Sequence, residues 1–312
     1  LSYSPDGGEA WERVRSPLPC ECNVRALTVY PDDPRRVLLG SDVGVFRSND
    51  SGATWEHLDS PMDQVQVWSL AVDPEDSNPI FVGTRPDAFR SRDDGKTWEQ
   101  LSLGVNNPCP VGIPRTTNVI VDPRDTRTIW AGIEVDGVYK SLDGGDNWVH
   151  LPELGPDAFH GDIHGMTIRT GPKPSVHVTS PFGIAISRDE GESWDYHEFP
   201  KFHEGDTRSY CRGHILKADN PDVMFVGNGD FIPGVTGAIR RTKDAGNSWD
   251  VVPLPVEPNS VIYWLATHVN IPEVIVAASL YGYVYISEDG GDTWMKLKKE
   301  FGEIRTVAVT PN

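Results

Sequence analysis

The sequence has no run of 18 apolar residues, so no segment is long enough to cross a bilayer as a helix. Basic residues are scarce: 28 Lys and Arg stand against 46 Asp and Glu, a formal net charge of −18 over 312 residues. That shortage excludes a nucleic-acid surface or an anionic membrane as partner, because both need clustered Lys and Arg. Cysteine is also scarce, with Cys20, Cys22, Cys109 and Cys211 only. None of them forms a Cys-x-x-Cys knuckle, the usual zinc spacing. Three readings stay open: free thiols in a cytosolic protein, disulfides in an exported one, or a metal site with histidine partners. No signal peptide is visible; the compartment stays open, with cytoplasm favoured over a secreted or periplasmic location. Turn residues and aromatics are plentiful, with 30 Gly, 26 Pro, ten Trp, nine Tyr and ten Phe. That many aromatics, spread along the chain, exclude disorder.

Seven of the ten Trp close one octet, Ser/Thr-x-Asp-x-Gly-x-x-Trp, usually with Ser or Thr before the Trp. The copies run Ser4 to Trp11, Ser48 to Trp55, Ser91 to Trp98, Ser141 to Trp148, Ser187 to Trp194, Thr242 to Trp249 and Ser287 to Trp294. Steps between these Trp are 44, 43, 50, 46, 55 and 45 residues. A period near 45 with strand-like flanks is the mark of a propeller or solenoid. Gly supplies a turn with positive φ, and the Asp and Ser/Thr side chains bond the turn backbone. Each octet therefore reads as a hairpin turn between two strands. A second pair of strands precedes it, as in Arg25 to Val29 and Val37 to Gly40. Four strands per unit make one propeller blade.

Counting first strands and octets predicts an all-β, seven-bladed propeller in a single domain. Six blades are expected at 23–58, 66–101, 115–151, 162–197, 210–252 and 261–297. The seventh combines 303–312 with 1–13, closing the ring non-covalently and removing exposed sheet edges. It lacks a second strand, which leads to the expectation that about ten residues precede Leu1.

The octets resemble the Asp-box, or BNR repeat, of the sialidase-like propeller superfamily, over nearly the whole chain. That resemblance implies the fold; the same repeat serves sialidases, large xyloglucan-degrading enzymes, sortilin-type receptors and a photosystem II assembly factor, so it does not fix the function. Sialidases have six blades and a Phe-Arg-Ile-Pro motif; here there are seven boxes, and the nearest string is Gly112-Ile113-Pro114-Arg115. A typical sialidase is therefore not expected.

In a propeller the first strands line the channel, and their leading residues face the ligand-binding end. Aligned from their terminal turns, those residues are Arg25, Trp68, Thr117, His164, Arg212, Tyr263 and Arg305. Arg25, Arg212 and Arg305 form a candidate anion site, since guanidinium forks match carboxylate or phosphate. The opposing reading pairs each with an acid such as Asp42, Asp87 or Glu303. Trp68, Thr117 and Trp264 are expected to complete the substrate wall. His164 and Tyr263 are candidates for proton or nucleophile work, with Asp87, Glu134 or Asp230 as acid. The long steps place insertions at 101–116, 199–210 and 228–234, where function concentrates.

No cofactor is expected; the alternative metal set is His160, His164, His214 and Cys211. Cys211 beside Arg212 is a second-rank candidate for a low-pKa nucleophile. Two functions compete. One is a hydrolase or lyase acting on a small or sugar-like carboxylate, by glycoside hydrolysis or β-elimination. The other is a non-catalytic binding or assembly scaffold. The partner is a small anionic or carbohydrate ligand, with no membrane insertion and a monomer or small homo-oligomer.

Overall fold

A computed structural model of the chain describes residues 1–19, 21–85, 87–105 and 112–311. The chain divides into two compact units, Leu1–His150 and Leu151–Pro311.

The first unit opens with a short hairpin, β1 (Ser2–Tyr3) and β2 (Glu12–Arg13). Three four-stranded antiparallel blades follow. They are β3 (Val24–Val29), β4 (Val37–Ser41), β5 (Gly44–Ser48) and β6 (Glu56–Leu58); β7 (Ser69–Val72), β8 (Ile80–Gly83), β9 (Ala88–Ser91) and β10 (Glu99–Leu101); and β11 (Thr116–Val121), β12 (Ile129–Ile133), β13 (Gly137–Ser141) and β14 (Val149–His150). The second unit holds three more. They are β15 (Gly165–Arg169), β16 (Ser175–Ser180), β17 (Gly183–Ser187) and β18 (Asp195–Glu198); β19 (Tyr210–Lys217), β20 (Asn220–Gly229), β21 (Gly237–Thr242) and β22 (Asp250–Val251); and β23 (Ile262–His268), β24 (Ile271–Ser279), β25 (Val284–Ser287) and β26 (Met295–Lys296).

The propeller therefore has six blades, not the seven expected. β1 and β2 pair with each other in a separate two-stranded sheet. Residues 303–311 form no strand. Instead Ile304 donates its N–H to the Leu280 carbonyl at 2.9 Å. Ile304 and Val307 pack on the apolar face made by Ala278, Val284 and Ile286. The alternating pattern of the C-terminal segment is thus satisfied by burial against the sixth blade rather than by a sheet of its own. Six blades also remove one of the two grounds that set this chain apart from sialidases; the missing Phe-Arg-Ile-Pro remains.

All seven octets adopt one hydrogen-bonded turn. In each, the Ser or Thr hydroxyl accepts the Gly N–H, at 2.8–3.0 Å. In each, the Asp carboxylate accepts the N–H of the residue before Trp, at 2.8–2.9 Å. Those bonds hold the Asp143, Asp244 and Asp289 carboxyls down to about 2. The box Trp does more than cover its own turn. Trp98 and Trp148 pack into clusters shared with the preceding blade, as do Trp249 and Trp294 in the second unit. Each is a wedge between neighbouring blades.

The buried hydroxyl is the part of this turn that cannot be replaced by water. Ser287 is 1% exposed and accepts the Gly291 N–H at 2.8 Å. Ser287→Ala leaves that donor unsatisfied and should cost about 1–3 kcal/mol, read as a lower urea midpoint with an unchanged slope.

Candidate functional site

The expected leading residues share one local structure. In four blades the first strand carries a register shift at that position: between Val24 and Ala26, Thr116 and Asn118, Cys211 and His214, and Ile262 and Trp264. Arg25, Thr117, Arg212 and Tyr263 lie inside these bulges, which re-aim side chains out of the strand alternation. In the other two blades Trp68 and His164 stand immediately before the strand, each bonded back to the second strand: Trp68 N–H to Gly83 at 2.8 Å and His164 N–H to Thr179 at 2.9 Å.

The second unit gathers several of these residues. Arg212 donates to the Tyr263 hydroxyl, and its guanidinium lies 4.3 Å from the Tyr263 ring centre. Arg305 lies 6.0 Å from the same ring. The two arginines differ in charge balance. Arg305 is ion-paired to Glu303. Arg212 has no carboxylate within 4.0 Å among the described residues, and its buried Nε lacks a hydrogen-bond partner.

His164 stands behind this pair, joined to it by Tyr210. Its Nδ1 is 2.6 Å from the Cys211 carbonyl. A carbonyl only accepts, so Nδ1 carries the proton and neutral His164 presents a bare Nε2. That Nε2 is 3.3 Å from the Tyr210 hydroxyl and 3.3 Å from Asp162 Oδ2. Burial, then the Arg212 charge, push the His164 pKa down against the opposing pull of Asp162. The imidazole is a neutral base at pH 7. Burial pushes the Tyr210 phenol up, against Arg212, so it is a proton donor at rest. The sequence reading missed Tyr210 and Asp162, although each stands two residues from a residue it did single out. Gly213 lets this layer close: a Cβ there would meet the Trp264 indole at 2.9 Å. Trp264 packs with Tyr210, Val261, Tyr263 and Leu280, as a wall rather than an open platform.

The proposed acids have other employment. Asp230 closes its own loop, accepting the N–H of Val235 at 3.0 Å and of Thr236 at 3.3 Å. Asp87 occupies a left-handed turn, φ 62°, and accepts Gln100 Nε2 at 3.1 Å. Glu134 is buried and accepts Arg115 Nε at 2.6 Å. Asp87 and Glu134 belong to the first unit. So does Arg25, whose guanidinium lies 4.2 Å over Trp68, with Arg115 at 4.3 Å from the same ring. Thr117 is tied to the Gly132 carbonyl at 3.1 Å.

The alternative metal set is dispersed into separate roles. His160 stacks on Phe182 at 4.6 Å and meets Tyr196 edge-on. His214 bonds Thr167 through Nε2 at 2.8 Å. Cys211 is a buried free thiol donating to the Ser209 carbonyl at 3.2 Å. Burial pushes that thiol up, which corrects the low-pKa nucleophile expectation. Cys20 and Cys109 lie outside the described residues. Among those residues, ligand atoms within 4.8 Å of one another occur at His57, Asp59 and Asp63. There the two carboxylates face opposite ring nitrogens, at 3.3 and 3.1 Å.

No protein-family model matches the chain. In sequence it is 27% identical over 306 residues to a protein of Neosartorya fischeri described as a probable oligoxyloglucan-reducing end-specific xyloglucanase. That match covers 84% of this chain but 32% of that protein, so the chain spans about a third of this relative's length. The GH74 enzyme of Niastella koreensis matches in structure with a TM-score of 0.66 at 18% identity, over 88% of this chain and 45% of that one. YCF48 from Cyanidioschyzon merolae, with a TM-score of 0.64 at 18% identity, is covered over 91% of this chain and 88% of that one. YCF48 has also been solved bound to D1 peptide. The structural likenesses establish the propeller fold; the sequence match makes the chain a distant relative of xyloglucanases.

Proposed function

We propose that this protein binds a sugar-like carboxylate at Arg212 and acts on it by proton transfer, as a lyase or hydrolase. One observation carries the reading: among the described residues this half-buried guanidinium has an Nε without a hydrogen-bond partner and no carboxylate within 4.0 Å, Asp162 acting on it only from farther off, in a chain of net charge −18. A ligand carboxylate supplies the missing acceptor. Tyr263 positions the fork. Tyr210 stands next to Arg212 with its hydroxyl on the bare nitrogen of His164, so a proton taken at Tyr210 passes to His164.

Between the two chemistries, the geometry favours β-elimination. Hydrolysis needs two available carboxylates flanking the scissile bond, and Asp87, Glu134 and Asp230 are each engaged elsewhere. Elimination needs a cation on the uronate carboxylate, which acidifies the α-carbon, and a base for its proton. The C5 proton leaves for the Tyr210–His164 pair, a C=C bond forms between C4 and C5, and the C4–O bond breaks, the leaving sugar's oxygen taking a proton back from Tyr210. Tyr210→Phe and His164→Gln should each slow the rise of ultraviolet absorbance from the unsaturated product by about 100-fold or more, with ligand affinity kept. No product from any uronoside would remove the catalytic part of this reading. A non-catalytic binding role is the second reading. It is supported by YCF48, a propeller of the same fold that has been solved bound to D1 peptide.

A further inference from the structure

The second unit has seven arginines, and their partners fall into two classes. Arg169, Arg188, Arg241 and Arg305 each hold a carboxylate: Asp222, Asp195, Asp292 and Glu303. Arg208, Arg212 and Arg240 hold none within 4.0 Å among the described residues. Arg240 donates to the Pro200 carbonyl and lies beside Phe199 and Phe202. Arg208 is different. Among the described residues its one side-chain hydrogen bond is a 3.4 Å contact to the adjacent Thr207. Its guanidinium lies 5.1 Å from the Phe182 ring and 5.9 Å from Phe159. It is half-buried, and Phe159 is 37% exposed.

The same short segment serves Arg208 and Arg212. Asp157 caps the 3-10 turn Ala158–Gly161, which presents Phe159 toward Arg208 and stacks His160 on Phe182. Three residues on, the chain delivers Asp162 and His164 to Tyr210, the neighbour of Arg212. Arg208 stands just before β19 and Arg212 within it, four residues apart, a reach of at most about 14 Å. Two guanidiniums with no carboxylate within 4.0 Å among the described residues therefore lie along one stretch of chain, each against aromatic rings.

We infer that Arg208 is a second anion subsite, and that the ligand is an oligosaccharide carrying carboxylates on more than one sugar. This rests on the carboxylate reading of Arg212 and extends it. The rings choose between two polyanions. Phe159, 37% exposed beside Arg208, offers a flat apolar face to sugar C–H groups while the guanidiniums take the carboxylates. An acidic peptide has the charges but no flat ring to lay on that face.

The test is calorimetric titration of the full chain with galacturonate, a galacturonate oligomer and an oligo-glutamate peptide. The wild type should bind the oligomer about tenfold more tightly than the monomer, the worth of one added charge-assisted contact. Arg208→Ala, and Arg208→Gln as a milder change, should erase that tenfold and leave monomer affinity unchanged. Arg212→Ala should weaken both sugars. Unchanged oligomer affinity in both Arg208 variants overturns the subsite while leaving Arg212 intact. Peptide binding as tight as the oligomer, with the same Arg208 dependence, overturns the choice of sugar. Failure of either sugar to bind the wild type overturns the Arg212 reading as well.

Discussion

Arg212→Ala is expected to lower the affinity for a simple uronate by about 100-fold, with a smaller loss in Arg212→Lys. Arg212 is held in place by the Tyr263 hydroxyl and by its stack on the Tyr263 ring, so little side-chain entropy is lost when an anion arrives. Removing one partner of a partly buried, hydrogen-bonded charge pair costs about 2–5 kcal/mol, and 100-fold corresponds to about 2.7 kcal/mol. Lys keeps the charge but not the planar two-point fork, and its ammonium cannot lie flat on Tyr263. Arg305→Ala should cost much less, because Glu303 already neutralises Arg305. The ratio of the two losses, measured by calorimetry on folded variants, separates a built site from a general positive field. Equal losses would contradict the assignment.

The second large effect is acid lability of the second unit. His177 on β16 is fully buried, and His214 on β19 nearly so. They share the Thr167 hydroxyl, which is 2.8 Å from His214 Nε2 and 3.5 Å from His177 Nδ1. Ser175 holds the other face of His177 at 2.9 Å. Burial, together with the neighbouring His214, Arg188 and Arg169 charges, pushes His177 down to about 3. Burial does the same to His214. Both are lowered in the folded state, so unfolding takes up protons below the ordinary histidine value of about 6.5. Their stabilising contribution is complete above that pH and is lost as pH falls from 6.5 toward 3. Over pH 7 to 5 the expected loss is roughly 2–4 kcal/mol for the pair. The box aspartates, also lowered, begin to contribute only below about pH 4. Urea unfolding at pH 7, 6 and 5 reads this directly. A His177→Gln/His214→Gln double variant should flatten the profile even if it starts from lower stability. An unchanged slope would show that these imidazoles are protonated in the folded protein.

The fold was largely legible because its signal is repeated and local. Seven octets at nearly fixed spacing each contain the groups that build their own turn, so sequence distance alone reports the hairpins. The blade count failed at the one place where locality ends. Ile304 to Val309 alternates like a strand, but alternation reports only that one face is buried. Ile304 and Val307 bury theirs on the sixth blade without a ladder. The site was legible in part. The leading positions in four blades coincide with bulges, and Arg212 does meet Tyr263. A bulge is a mismatch between two strands, however, and cannot be read from either alone. Tyr210 and Asp162 went unnoticed because their roles come from contacts with His164 that join different chain segments. The acids failed for a related reason. Asp230 and Asp87 are turn residues by chemistry, and a carboxylate that caps a loop is indistinguishable in sequence from one that awaits a substrate.

Whether the Arg212 guanidinium of the second unit receives a carboxylate is read from a crystal structure of the wild-type protein with glucuronate. The carboxylate is expected two-point on Arg212, with the sugar's C5 hydrogen toward the Tyr210 hydroxyl. Glucuronate bound elsewhere, or Arg212 turned onto a protein carboxylate with no ligand present, would contradict it.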